Sequence, residues 1–186
     1  GDKVLDLGSG SGKNAFICAQ IVGKSGKVIG VDRNLDMLNL SRGAIPFVEN
    51  QLGFSNVSFV QGGVESLDAL QKEGNPLIDS STIDVVLSNC VLNLVNHSNR
   101  YSLLSNIKRV LNHNGRIAIS DIVSSHEIPL SLQEDPDLWS GCISGAWQED
   151  KFIEDFKSMG FKDISYAERS EKPWKVIEGI EFRAIT

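Results

Sequence analysis

Three groups of residues in this sequence have the type and spacing to do chemistry: a glycine-rich turn, acidic residues placed around it, and thiols. Val4-Leu5-Asp6-Leu7-Gly8-Ser9-Gly10-Ser11-Gly12 carries a mostly apolar, strand-like stretch into glycine at every second position, and a helical pattern follows over 13–22. Glycine leaves out Cβ atoms where the backbone must bend sharply and come close to a ligand, and the free N–H groups of the helix start point into the same space. A nucleotide-like ligand suits such a turn. Lys27-Val28-Ile29-Gly30-Val31 reads as a second strand, with Asp32 at its carboxyl end, where an acidic side chain accepts both ribose hydroxyls. The cysteines are Cys18, Cys90 and Cys142, an odd number without the spacing of a small disulfide scaffold, which predicts free thiols in a reducing, cytoplasmic compartment. Taken alone, each reads as a small buried hydrophobe, and Cys18, within Phe16-Ile17-Cys18-Ala19, is assigned to the core on that ground.

The elements that must position these groups alternate. Beyond Asp32, apolar residues recur at helical spacing up to Gly53, with Pro46 expected to kink or break the helix. Strands are predicted at 57–61, 83–89 and 116–121, a short helix at 65–72 and an amphipathic helix at 99–111 ended by Asn114-Gly115. The stretch 122–146 has no clean period. A helix at 149–159 turns Phe152, Ile153 and Phe156 inward, and the last strands fall at 161–166 and 179–185. Alternating strands and helices call for right-handed crossovers, so the expected fold is α/β, a mainly parallel seven-stranded sheet with helices on both faces. Ligands bind beyond the carboxyl ends of such strands, which sets the glycine turn, Asp32 and the Gly62-Gly63-Val64-Glu65 turn on one rim.

The spacing of the turn narrows the ligand. A dinucleotide fingerprint needs its third glycine where Lys13 stands, and the pattern is instead Asp-x-Gly-x-Gly-x-Gly from Asp6 to Gly12. This resembles motif I of the class I methyltransferases that use S-adenosylmethionine, and it implies their Rossmann-like fold. That ligand carries an amino-acid end rather than a pyrophosphate, and Asp6 would serve its ammonium through water or the turn backbone. The resemblance sets the donor-binding residues at Asp6, Gly8, Ser9, Gly10, Gly12, Asp32, Met37, Val64, Glu65 and Asn89. Val64 would cover the adenine or sit in the core, and Glu65 or its backbone would meet the exocyclic amine.

Just past the fourth strand, where the nucleophile faces the donor in such enzymes, stands Ser88-Asn89-Cys90-Val91-Leu92-Asn93-Leu94-Val95. It lacks the Asn-Pro-Pro-Tyr type of motif that holds an amine there. A second thiol lies in Leu138-Trp139-Ser140-Gly141-Cys142-Ile143-Ser144-Gly145-Ala146, inside the aperiodic stretch, which is long enough for a lid. These two segments, taken with the glycine turn, resemble the arsenite methyltransferases over almost the whole chain. The family's matching cysteines hold trivalent arsenic for methylation by S-adenosylmethionine, which gives Cys90 and Cys142 that role. Trivalent arsenic is soft and thiol-seeking, and its lone pair needs no general base. The resemblance also implies a thiol reductant. The family has a further cysteine upstream of the glycine motif, and the last strand reaches the end of the sequence, so the expectation is a single domain over 1–186 with a lid-like insertion around 122–146, either trimmed at both ends or from a relative without that thiol.

Eighteen basic and twenty-four acidic residues give a net charge of −6, with no Lys/Arg cluster, which disfavours nucleic acid. No apolar run approaches the roughly 20 residues that span a bilayer. Two alternatives stay open: a small-molecule C- or O-methyltransferase of the same fold, with His97 as candidate base, and a module that binds S-adenosylmethionine or a thiophilic metal without turnover. His113 is read as a helix-end residue.

Overall fold

A computed structural model describes all residues, 1–186. The chain forms two compact units, Gly1–Ser88 with Ser105–Ala118, and Asn89–Leu104 with Ile119–Thr186.

In the first unit, β1 (Lys3–Leu7), β2 (Lys27–Asp32), β3 (Val57–Gln61) and β4 (Ile83–Asn89) form a wholly parallel sheet in the order β3-β2-β1-β4. Asp6 is in register with Gly30 and Leu87, and Leu7 with Ser88, so the glycine turn leaves the sheet beside the end of β4. α1 (Lys13–Val22) and α2 (Leu35–Leu52) return the chain between the first three strands. Val4, Ala15, Ala19, Val28, Leu38, Val57 and Phe59 make the core under α1.

α2 runs through Pro46 without the break that was one of the two expected outcomes. Pro46 lies on the exposed side, so the carbonyl that loses its partner faces water. Both helix ends are also held: the Asn34 side chain accepts from the N–H groups of Asp36 and Met37, and Gly53 caps the carboxyl end at φ 76°. The helix predicted at 65–72 is absent. Its residues form tight turns, and Leu77 and Ile78 donate backbone hydrogen bonds to Ala69 and Leu67 instead, burying Leu67 and Ile78.

In the second unit, β5 (Leu111–Ser124), β8 (Ile180–Ile185) and β7 (Lys175–Ile177) are antiparallel neighbours, and the two-residue β6 (Trp147–Gln148) runs parallel to β5. The expected strand at 161–166 does not form, because β8 pairs with β5 on one side and with β7 on the other. β7 was not foreseen. It joins β8 through Glu178-Gly179, both left-handed at φ 50° and 82°, the backbone of a tight two-residue hairpin. The aperiodic stretch is ordered by α4 (Leu130–Gln133) and α5 (Pro136–Ser140), with Asp135 capping α5 and the Ser144 hydroxyl donating to the carbonyls of Leu132 and Asp135. Ile128, Leu132, Ile143, Ala146, Ile180 and Phe182 form its core. α6 (Glu149–Ser158) packs Phe152 and Phe156 inward as expected, with Ile153 half-buried. α3 (Arg100–Val110) and β5 each contribute residues to both units.

Candidate active site

In the first unit the glycine turn is shaped by left-handed backbone at Gly8, Gly10 and Gly12. The Ser9 N–H donates to the Val31 carbonyl at 3.0 Å and the Gly12 N–H to the Ser9 carbonyl at 2.9 Å, which closes the turn ahead of α1. Asp32 is tied to it. Its Oδ2 accepts from the Gly10 N–H at 2.8 Å and its Oδ1 from the Asn34 N–H at 2.8 Å. A carboxylate has about four acceptor positions, so each oxygen keeps capacity for a hydroxyl.

Asp6 is buried at the foot of the turn, and burial pushes its carboxyl up to about 7. The Ala15 N–H pulls the other way, and the charge of Asp32 adds to the rise. Asp6 Oδ2 and Ser9 Oγ are buried with no hydrogen-bond partner. A Cβ at Gly10 would meet nothing within 4 Å, whereas one at Gly12 would strike Phe16, Phe59 and Ser41 at 2.7 to 3.1 Å. So one glycine opens on space and the other is packed against the core.

Val64 is buried. The Glu65 carboxylate pairs with Arg33 at 2.5 Å, and its backbone carbonyl accepts from the Asn106 side chain at 3.0 Å. Asn106 therefore takes one of the two acceptor positions of a carbonyl that sequence reasoning offered, as an alternative to the Glu65 side chain, to an adenine amine. Met37 is half-buried in the first turn of α2.

The second unit holds Asn89, exposed at the end of β4, together with both thiol segments. Cys90 and Cys142 have φ of 55° and 61°, left-handed conformations that side chains rarely adopt. The Cys90 N–H donates to the Ser120 carbonyl at 2.8 Å. The Cys142 Sγ donates to the Cys90 carbonyl at 3.4 Å, so residues 52 positions apart meet. Cys90 is exposed and Cys142 buried.

Burial raises both thiols, Asp121 raises them further, and Cys142 is pushed up to about 12. Both are protonated near neutrality, not the preformed thiolates that soft-ligand chemistry suggests. No group of three or more His, Cys, Asp or Glu is placed to hold a metal ion. Cys18 is half-buried beside the first core, consistent with its core assignment.

Sequence reasoning gave no role to Asn93 or Asp121. Asp121, 3% exposed, accepts from Asn93 Nδ2 at 2.8 Å, the Ile122 N–H at 2.9 Å and the Leu92 N–H at 3.1 Å. Burial pushes its carboxyl up to about 6, with backbone N–H groups, that of Ile122 first, opposing the rise. The signal was present: Asn93 is the lone polar residue in the run Val91–Val95.

His97 is half-buried, with its ring 3.3 Å from Arg100 Nη2; burial and the Arg100 charge lower its pKa. His113 lies within β5 and not at a helix end.

A family model described as a methyltransferase domain matches residues 1–160. The chain belongs to the methyltransferase domain family. Its fold is the Rossmann-like fold of class I methyltransferases. This methyltransferase domain is 36% identical over 163 residues to the arsenite methyltransferase of Aquipseudomonas alcaligenes, covering 88% of this chain and 45% of that protein. It is 37% identical over 175 residues to the arsenite methyltransferase of Halobacterium salinarum, covering 92% of this chain and 40% of that protein. The chain thus spans less than half the length of these curated relatives. Among solved structures it is similar to the arsenic (III) S-adenosylmethionine methyltransferase of Chlamydomonas reinhardtii, with a TM-score of 0.85 and 33% identity over 99% of this chain and 62% of that one. No helix is long and apolar enough to cross a membrane.

Proposed function

We propose that this methyltransferase domain transfers a methyl group from S-adenosylmethionine to trivalent arsenic held by Cys90 and Cys142. The observation that carries the reading is the meeting of the two cysteines, the Cys142 thiol on the Cys90 carbonyl, both in left-handed backbone. Structural cysteines need no such strain. The relatives named above support the choice of arsenic.

The residues of the first unit fit the donor. Asp6, Gly8, Ser9, Gly10 and Gly12 would take its amino-acid end, with Asp6 Oδ2 and Ser9 Oγ as buried polar atoms still to be satisfied. Asp32, pre-oriented by the Gly10 and Asn34 N–H groups, would accept the ribose hydroxyls. Met37, Val64 and Glu65 would line the rest. When bound, the donor supplies an electrophilic methyl on a sulfonium.

Capture of arsenite by the thiols balances without a base. Two S–As bonds form, two As–OH bonds break, and each thiol proton leaves with a hydroxide as water. Protonated thiols are therefore competent, and the arsenic lone pair remains for the methyl. The protein's task is alignment. The reading includes an external thiol reductant, a cytoplasmic setting suited to free cysteines, and a single domain with a lid-like insertion around 122–146.

Calorimetry with phenylarsine oxide and with S-adenosylmethionine tests this. Cys90→Ser and Cys142→Ser are expected to keep donor binding and to lose arsenical binding. Undiminished arsenical binding in both variants would remove the thiol pair from the site.

A further inference from the structure

We infer that Asn93, locked by Asp121, is the positioning residue that sets the spacing of the two thiols. The inference rests on the proposed arsenic site and adds the device that builds it.

Both cysteines are referenced to one short stretch of β5. The Ser120 carbonyl takes the Cys90 N–H, Asp121 takes the Asn93 carboxamide, and that carboxamide donates in turn to the Cys142 carbonyl at 3.2 Å and to the Ile122 carbonyl at 2.7 Å. Asp121 also holds the Leu92 N–H, one residue before Asn93, through its other oxygen. The carboxamide is thus fixed from two sides before it reaches the 142–145 loop.

The backbone of Asn93 makes a second contact with that loop. A Cβ at Gly145 would sit 1.8 Å from the Asn93 carbonyl oxygen, so only glycine permits this approach. Arg100, stacked 3.9 Å over the Trp147 ring, donates to the Gly145 carbonyl at 2.7 Å and holds the loop at the same place. Asn93 is 2% exposed and Asp121 3%, and neither touches a thiol sulfur through any of these bonds. Their role is spacing rather than ligation or proton transfer. A two-thiol ligand feels that spacing, whereas a reagent that needs one thiol does not.

The test compares such reagents. Removing a buried hydrogen-bond donor from Asn93→Ala should weaken phenylarsine oxide, which bridges two thiols, by about tenfold or more. Iodoacetamide alkylation of Cys90 should stay within about twofold of the parent, and the KM for S-adenosylmethionine should not move while that for arsenite rises. Phenylarsine oxide binding equal to the parent's would overturn the inference.

A measurement on the parent chain covers the case in which Asn93→Ala does not fold. The Asn93 side-chain amide protons should exchange slowly in NMR spectra and shift when phenylarsine oxide binds; exchange as fast as a surface asparagine would overturn it equally. Failure of the parent to bind phenylarsine oxide would instead overturn the arsenic site itself, so the two failures are distinguishable.

Discussion

The two glycines at the heart of the donor turn should respond to alanine in opposite ways. At Gly12 the new Cβ would stand 2.7 Å from Phe16 and 2.8 Å from Phe59, with Ser41 at 3.1 Å, at a φ of 92°. Those rings pack edge to face with centroids 5.4 Å apart, and Ser41 is fully buried, so none of the three can yield cheaply. Left-handed strain costs about 1–2 kcal/mol and overpacking about 1–3 kcal/mol, so Gly12→Ala should lose about 2–5 kcal/mol of stability. At Gly10 the Cβ meets nothing and only the φ of 52° opposes it, so Gly10→Ala should lose about 1–2 kcal/mol. With roughly 2–4 °C of Tm per kcal/mol for a chain of this size, the two should melt several degrees apart. Binding should separate them as well. The open space at Gly10 is where the donor would approach, so Gly10→Ala should cost affinity for S-adenosylmethionine out of proportion to its stability. Urea unfolding and calorimetry read both quantities. Equal stability losses would refute the packing argument, and unchanged affinity in Gly10→Ala would refute the donor placement.

Replacing Asp32 by Ala removes a carboxylate that also anchors Gly10, and hydrogen bonds to charged groups are worth roughly 1.5–3 kcal/mol, so donor affinity should fall about tenfold or more by calorimetry. The exposed Cys90 should be alkylated at pH 8 at least about tenfold faster than Cys142, whose burial and pKa of about 12 deny it thiolate; mass spectrometry of the labelled chain decides it. The Asp6 carboxyl, raised from 3.8 to about 7, binds its proton more tightly folded than unfolded, so its stabilising contribution is full below about pH 4 and lost as pH rises through 7. Asp6→Asn should therefore gain on the parent in unfolding free energy between pH 4 and pH 8, by about 4 kcal/mol at most, read from urea unfolding, and a constant difference would show that Asp6 does not titrate in that window.

Sequence reasoning found what is written locally. β1, the glycine turn and α1 are contiguous, and glycine spacing followed by helical periodicity specifies them residue by residue, with α1 at Lys13–Val22 as predicted. The thiol segments were legible through their resemblance to a family, although nothing local says that Cys142 reaches Cys90. Features decided by distant partners were missed. The 65–72 segment has a plausible helical pattern, yet its backbone groups bond to 75–78 across a turn. The strand expected at 161–166 lost to β7, which depends on the left-handed Glu178-Gly179 turn. Asn93 and Asp121 are 28 positions apart, and only their burial against each other reveals a shared task.

The most direct test of the central claim is turnover. The full-length protein carrying this domain, incubated with arsenite, a thiol reductant and methyl-labelled S-adenosylmethionine, should yield labelled methylarsenic species, and Cys142→Ser should abolish them while still binding the donor. Methylation of arsenic at the parent rate in Cys142→Ser would contradict the thiol pair, and transfer of label only to a carbon or oxygen acceptor would contradict arsenic as the substrate.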